Sequence, residues 1–384
     1  MTMTDTLRPT TTDELCDAIA SAASDGTKLG IRGGGSKEAI GAPTPTARTL
    51  DMSGFSGVLD YDPPELVLTV SAGTLLSEIE ALVAAEEQML AFDPYDHGPM
   101  LGGAAGAATI GGVISAGVAG PRRLTSGGAR DHLLGFKAVS GHGDVFKAGA
   151  KVVKNVTGFD LSKLIAGSWG RLVAITELTL KVVPRPKMRK TMLLRDLGPE
   201  AAVGIMARAL GSPADVSAAA HLPSWRGAPT TVFRLDGFPP SVAARIDTLA
   251  ALIGDKYAFE SLDDDASNAL WDDIRDVALL PNNRPLWRVV IAPSKAPAFV
   301  AALTDVEWLL DWAGGLVWAA SAEDPTALRA AATAAGGHAT LIRADAAMRA
   351  AVSAFHPQAI SVEALEARIR RAFDPAGVFE TGRF

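Results

Sequence analysis

The sequence predicts an α+β protein of two domains whose C-terminal segment returns to the first. Three observations carry this reading. A chain of 384 residues exceeds what one ordinary core organises. Strand patterns dominate up to Pro184-Arg185-Pro186, and beyond that point strands and helices alternate, as when helices cover one face of an antiparallel sheet. The end of the chain, Phe373-Asp374-Pro375-Ala376-Gly377-Val378-Phe379, is too apolar to stay apart from the body. The expected parts are residues 1–186, a smaller α+β domain over 187–345, and a returning segment over 346–384.

The elements follow in order. Thr11 and Glu14 have capping-box spacing and open a helix from Leu15 to roughly Ser24, closed by Asp25-Gly26. Lys28 to Ile31 is a short strand. Val58 to Ser71 reads as a hairpin about Asp62-Pro63-Pro64, Leu75 to Ala85 as a helix, and Phe136 to Lys147 as a hairpin turning at Gly141-His142-Gly143-Asp144. Leu172 to Val182 carries the strongest strand pattern. In the second half Thr231 to Leu235, Leu286 to Ile291, Leu316 to Ala320 and Ala339 to Ile342 read as strands, and Val242 to Ile253 as a helix. Val362 to Ala372 forms an amphipathic basic helix. No internal repeat stands out.

Composition narrows the function. The net charge is −7 and the basic residues are scattered, so the footprint of a nucleic-acid binder is missing. Met-Thr-Met-Thr-Asp-Thr is not a secretory signal, and the expected location is the cytoplasm. Gly102 to Gly120 is uncharged over nineteen residues, but seven are glycine, which suits packing about a buried ligand better than a membrane span. Cys16 is the sole cysteine, excluding a disulfide within the chain and a cysteine-ligated iron–sulfur cluster. Any electrons handled must then sit on an organic cofactor. The six histidines lack common metal-site spacings, so no metal is expected.

Two glycine-rich segments carry the chemistry: Arg32-Gly33-Gly34-Gly35-Ser36-Lys37 and Thr109-Ile110-Gly111-Gly112. Successive glycines let backbone N–H groups converge on an anion. Neither segment matches the dinucleotide fingerprint, since Glu38 stands where a glycine is required, and no G-x-x-x-x-G-K-[ST] occurs. Read alone, each run is either a surface turn or a different cofactor cradle.

Further segments stand in the same order along the chain: Ala119-Gly120-Pro121-Arg122-Arg123, Ala129-Arg130-Asp131, Lys154-Asn155-Val156-Thr157-Gly158-Phe159-Asp160-Leu161, Gly167-Ser168-Trp169-Gly170 and the closing Phe373 to Phe379. Together with the glycine cradles they resemble the vanillyl-alcohol oxidase type of flavoprotein, also called PCMH-type, and within it the E-subunit family of bacterial glycolate oxidases. The resemblance implies a two-subdomain FAD-binding domain, an α+β ferredoxin-like cap, and a C-terminal return to the FAD domain. It places Arg32, Gly33, Gly34, Gly35, Ser36 and Lys37 about the FAD pyrophosphate. Thr109, Gly111, Gly112, Ser115, Gly117 and Gly120 fall along the ribityl chain and ring edge, Val173 and Ile175 at the adenine, and Arg130 at a flavin contact or a turn ion pair. Covalent members carry a histidine near the place of Ser36, so a dissociable flavin is implied. Lys154 reads as a solvated lysine or as a cation at the flavin edge.

Relatives that oxidise D-2-hydroxy acids carry a His-x-Gly-Asp-Gly-Asn-x-His run; this chain has none, and His142-Gly143-Asp144 is a hairpin turn. Glu380-Thr381-Gly382-Arg383 replaces the family's usual Asn-Pro-Gly. Pro285-Leu286-Trp287-Arg288 and Asp311 to Trp318 also resemble the E-subunit family, their tryptophans serving as core or as a roof or partner face. The implied function is an FAD-bearing subunit relaying electrons between a catalytic flavin subunit (D) and an iron–sulfur subunit (F) of a glycolate-oxidising complex, which can lie at the inner face of the membrane. No catalytic residue is identified. A self-sufficient FAD-dependent dehydrogenase and a cofactor-free scaffold are the other readings.

Overall fold

The computed structural model describes residues 6–44, 47–149, 159–254 and 257–384. The Lys154 reading, with Asn155 to Gly158, lies outside the described residues. Two compact units emerge: residues Met1–Ala119, Gly127–Pro184 and Pro357–Phe384 form one, and Gly120–Ser126 with Arg185–His356 the other.

In the first unit the capping box is present at Thr11 and Glu14, the helix spans Thr12–Asp25, and Gly26 ends it in the left-handed conformation. Leu15, Ile19 and Ala22 recur on one helix face and are buried. They pack on Leu29 and Leu50 of a parallel three-stranded sheet, Thr6–Leu7, Arg48–Asp51 and Leu29–Arg32, and on Val139 and Ala174 of a five-stranded antiparallel sheet. One helix therefore ties two sheets together. The larger sheet runs Val58–Asp62, Val67–Ser71, Val173–Lys181, Leu133–Ser140, Val145–Gly149, with the strongest sequence strand at its centre.

The closing segment joins the same core. Val378 and Phe379 lie against Leu15 and Leu29, and the Leu29 N–H donates to the Val378 carbonyl at 2.8 Å. Buried Asp374 holds the turn before them, its carboxylate accepting from the Val378 and Phe379 N–H groups, each at 2.8 Å. The long helix preceding it, Ile360–Phe373, buries no residue fully.

The second unit is an eight-stranded antiparallel sheet. Met188–Arg195, helix Pro199–Leu210, Ala218–Trp225, Ala228–Gly237, helix Pro239–Ile253 and Phe259–Leu262 give a βαββαβ order whose fourth strand lies beside its first. Leu286–Val290, helix Ala296–Ala301, Val306–Asp311, Leu316–Ser321, helix Pro325–Ala334 and His338–Arg343 repeat that topology. The halves meet where His221 pairs with Leu310. The second unit is thus a duplicated ferredoxin-like fold, although the sequence showed no repeat: each half keeps only the pattern of buried positions. The four helices of the two repeats cover one face, through residues such as Val203, Val242, Phe299 and Leu328.

Asp374 yields a stability prediction. Asp374→Ala leaves two buried N–H groups without an acceptor, which costs about 2–4 kcal/mol, and denaturant unfolding of the purified chain should show that loss; a change below about 0.5 kcal/mol would contradict the role.

Candidate cofactor site

Every residue of the site lies in the first unit. The Leu29–Arg32 strand delivers the chain into the glycine triplet, where Gly35 stands at φ 82°, a conformation that a side chain disfavours. Among the described residues, none accepts a hydrogen bond from the backbone N–H groups of Gly33, Gly34, Gly35 or Ser36. Their donors line an open cleft with a cavity volume of about 300 Å³. A run of free N–H groups on a concave backbone fits a pyrophosphate.

The facing loop is gathered by a carboxylate. Asp96 accepts from Gly98 N through Oδ1 at 2.8 Å, and through Oδ2 from Gly106, Ala107 and Ala108 N at 2.9, 3.2 and 3.3 Å. This gathers the loop that leads to Thr109, which caps the short helix Ile110–Ser115 by accepting from Gly112 N. The two loops touch: a Cβ added at Gly33 falls 2.1 Å from Thr109 Oγ1, and one at Gly34 falls 1.7 Å from the Ala107 carbonyl oxygen. Gly33 is therefore needed for the close approach of the Thr109 side chain, and Gly34 for that of the Ala107 backbone. Gly111 is similar, its added Cβ lying 2.7 Å from the Ala72 carbonyl. Gly112 differs, because its nearest neighbours are Thr109 Oγ1 at 3.3 Å and Lys37 Nζ at 3.6 Å.

Lys37 supplies the charge. Burial pushes its ammonium down to about 8; Asp96 opposes this shift and Arg383 adds to it. An anion in the cleft would restore the protonated form.

Arg32, Gly33, Gly34, Gly35, Ser36 and Lys37 all line the cleft, as do Thr109, Gly111, Gly112 and Ser115 from the second loop and Val173 and Ile175 from the central strand. Three expected residues do not. Gly117 stands at φ 63° with its added Cβ 3.1 Å from Gly167 Cα, so its glycine serves a close backbone approach. Gly120 belongs to the second unit, where its carbonyl accepts from Trp312 Nε1 at 2.9 Å. Arg130 is exposed in the turn Ala129–His132, beside Asp131, whose carboxylate accepts from Gly128 N.

Several residues that shape the site had no sequence signal, Asp96 among them. Trp169 adopts φ 56°, uncommon for a bulky residue, and its N–H donates to the Ser115 carbonyl at 2.8 Å. Arg171, Thr381, Arg383 and Phe384 complete the wall. Glu380 lies 3.7 Å from Arg171 and 2.7 Å from Arg370.

In the second unit the expected tryptophans are core: Trp312 and Trp318 are buried, and the Arg123 and Arg288 guanidinium groups lie over the Trp312 ring, at 5.2 and 5.0 Å. His221 is buried against Thr231, and burial lowers it to about 4. Among the described residues, no group of three or more His, Cys, Asp or Glu side chains is placed to hold a metal, and no helix is long and apolar enough to cross a membrane.

Comparison with known proteins supports this geometry. The model of an FAD binding domain family matches residues 6–149. The chain is 33% identical to glycolate oxidase subunit GlcE of Escherichia coli over 377 residues, 96% of each protein. It is 31% identical to glycolate oxidase subunit GlcD of Bacillus subtilis over 188 residues, covering 49% of this chain and 38% of that one. Among solved structures, p-cresol methylhydroxylase superposes with a TM-score of 0.73 over 98% of this chain and 88% of its own at 14% identity, which establishes the fold.

Two predictions follow from the cradle. Gly34→Val should destabilise the apoprotein by about 1–3 kcal/mol, because the new side chain meets the Ala107 backbone; Gly112→Val should keep the apoprotein's unfolding midpoint while weakening FAD about tenfold or more, because it projects toward Lys37. Fluorescence titration and unfolding of both variants check this, and wild-type FAD affinity in Gly112→Val would exclude the cleft. With Lys37 near 8, FAD and ADP affinities should be constant below that pH and fall as pH rises through it, the proton being taken up on binding. Lys37→Met should flatten the profile; an unchanged profile would remove Lys37 from the anion site.

The glycine cradles, the free N–H groups that they present and the likeness spanning nearly the whole chain converge: this chain belongs to the glycolate oxidase subunit GlcE family of FAD-dependent oxidoreductases, with the p-cresol methylhydroxylase type of fold.

Proposed function

We infer that the chain is the FAD-binding subunit of a complex that oxidises glycolate or a related D-2-hydroxy acid, and that it relays electrons between a catalytic flavin subunit and an iron–sulfur subunit, the D and F subunits. The observation that carries this is the match to a named glycolate oxidase subunit over 96% of both chains. Two sequence features support the relay over independent catalysis. The histidine-rich run of hydroxy-acid-oxidising relatives is absent, and a single cysteine leaves no cysteine-ligated cluster to carry electrons onward.

Bound FAD supplies the acceptance of two electrons and their release one at a time. The protein's own part is to hold it. Gly33 to Ser36 would donate backbone N–H groups to the pyrophosphate, Lys37 would add a positive charge, and Val173 and Ile175 would flank the adenine. Ser36 offers no imidazole for attachment, so the cofactor is held without a covalent bond. Complex membership would place the chain in the cytoplasm, at the inner face of the membrane when assembled.

Acid precipitation of the purified protein should release all flavin into the supernatant; yellow colour in the washed pellet would refute non-covalent binding. Glycolate or D-lactate added to the isolated holoprotein should leave its flavin oxidised, whereas co-expression with the D and F subunits should yield a stable complex in which this flavin is reduced. Rapid bleaching of the isolated chain would instead favour a self-sufficient dehydrogenase.

A further inference from the structure

We propose that Arg383 and Phe384 are positioning residues for the cofactor: Arg383 holds carbonyl oxygens of the first glycine loop back from the anion, and Phe384 closes the side of the cleft against Trp169. This rests on the reading that the cleft is the FAD site.

The geometry carries it. Arg383 Nε donates to the Ile40 carbonyl at 2.8 Å, and its Nη2 donates to the Lys37 carbonyl. One guanidinium thus takes two carbonyls from the turn that follows the cradle, leaving the N–H groups of Gly33 to Ser36 as the face presented to the cleft. A carbonyl rotated into that face would oppose a pyrophosphate. The tail is fixed in register by Ala42 N, which donates to the Arg383 carbonyl at 2.9 Å. Gly41 makes this approach possible: at φ 82°, a Cβ there would fall 2.6 Å from Arg383 O and 2.8 Å from Phe384 Cε1. The Phe384 ring sits 5.2 Å from Trp169 and 5.0 Å beneath the Arg383 guanidinium, and all three residues line the cleft. Trp169 in turn holds its left-handed backbone through Ser115, on the second cradle's helix. The tail therefore touches both cradles, one directly and the other through a strained residue, an arrangement expected where geometry is held for a ligand.

Charge gives a second handle. Four charged side chains bear on Lys37 or its loop: Asp96 from the facing loop favours its protonated form, Arg383 opposes it, and Arg32 pairs with Glu38 at 2.9 Å on the same loop. Removing the Arg383 charge therefore raises the pH at which anion affinity falls. Replacing Arg383 by lysine keeps the charge and loses the two-pronged hydrogen bonding.

The test titrates apoprotein with FAD and with ADP, from about pH 6 to 10, alongside apoprotein unfolding. R383Q should weaken both ligands about tenfold and move the midpoint of the pH profile upward. R383K should lose similar affinity with the midpoint unmoved. Phe384→Ala should weaken both about threefold or more at every pH. If R383Q does not fold, R383K and Phe384→Ala decide. Affinities within about twofold of the parent in folded R383K and Phe384→Ala would overturn the proposal. That outcome is distinct from failure of the cleft reading, which would appear as normal FAD binding by Gly112→Val.

Discussion

The cleft exists because two loops approach each other at backbone distance, and Asp96 is what makes that approach possible. Its carboxylate collects the N–H groups of Gly98, Gly106, Ala107 and Ala108, turning a stretch with little secondary structure into a fixed wall. That wall brings the Ala107 carbonyl to where a side chain on Gly34 would stand. The glycine triplet lies along the cleft, and among the described residues its N–H groups have no acceptor. The same carboxylate offsets the burial that weakens the Lys37 charge.

This changes what the glycines mean. A glycine run beside a cofactor invites the view that each hydrogen makes room for the ligand. Here Gly33, Gly34 and Gly111 make room for protein at close range, whereas an added Cβ at Gly112 meets only the Thr109 and Lys37 side chains, at 3.3 and 3.6 Å. The cradle is folded by the same contacts that give it ligand affinity, so fold stability and cofactor binding are separable at Gly112 but not at Gly34.

Much of this was legible in the residues. The capping box of the first helix, both hairpins of the first unit and the central strand at Val173–Lys181 follow local rules of capping, turn chemistry and period, and those rules hold here. The cradle residues were legible through their resemblance to a family. The rest depended on contacts distant in sequence. Asp96 carries no signal until its partners ten residues on are seen, and Arg383 reaches a loop near Lys37. The strands Met188–Arg195 and Ala218–Trp225 escaped notice because one mixes charge into its run and the other opens on alanines. The duplicated fold was invisible because topology is kept by buried pattern, and Phe233 in one half and Val317 in the other need share no identity to fill like places.

Determination of the structure with FAD bound tests the central claim most directly. The account predicts pyrophosphate oxygens within hydrogen-bonding distance of the N–H groups of Gly33 to Ser36, Lys37 beside them, and the adenine along Val173 and Ile175. FAD bound elsewhere, or a pyrophosphate held with those N–H groups turned from it, would contradict the account.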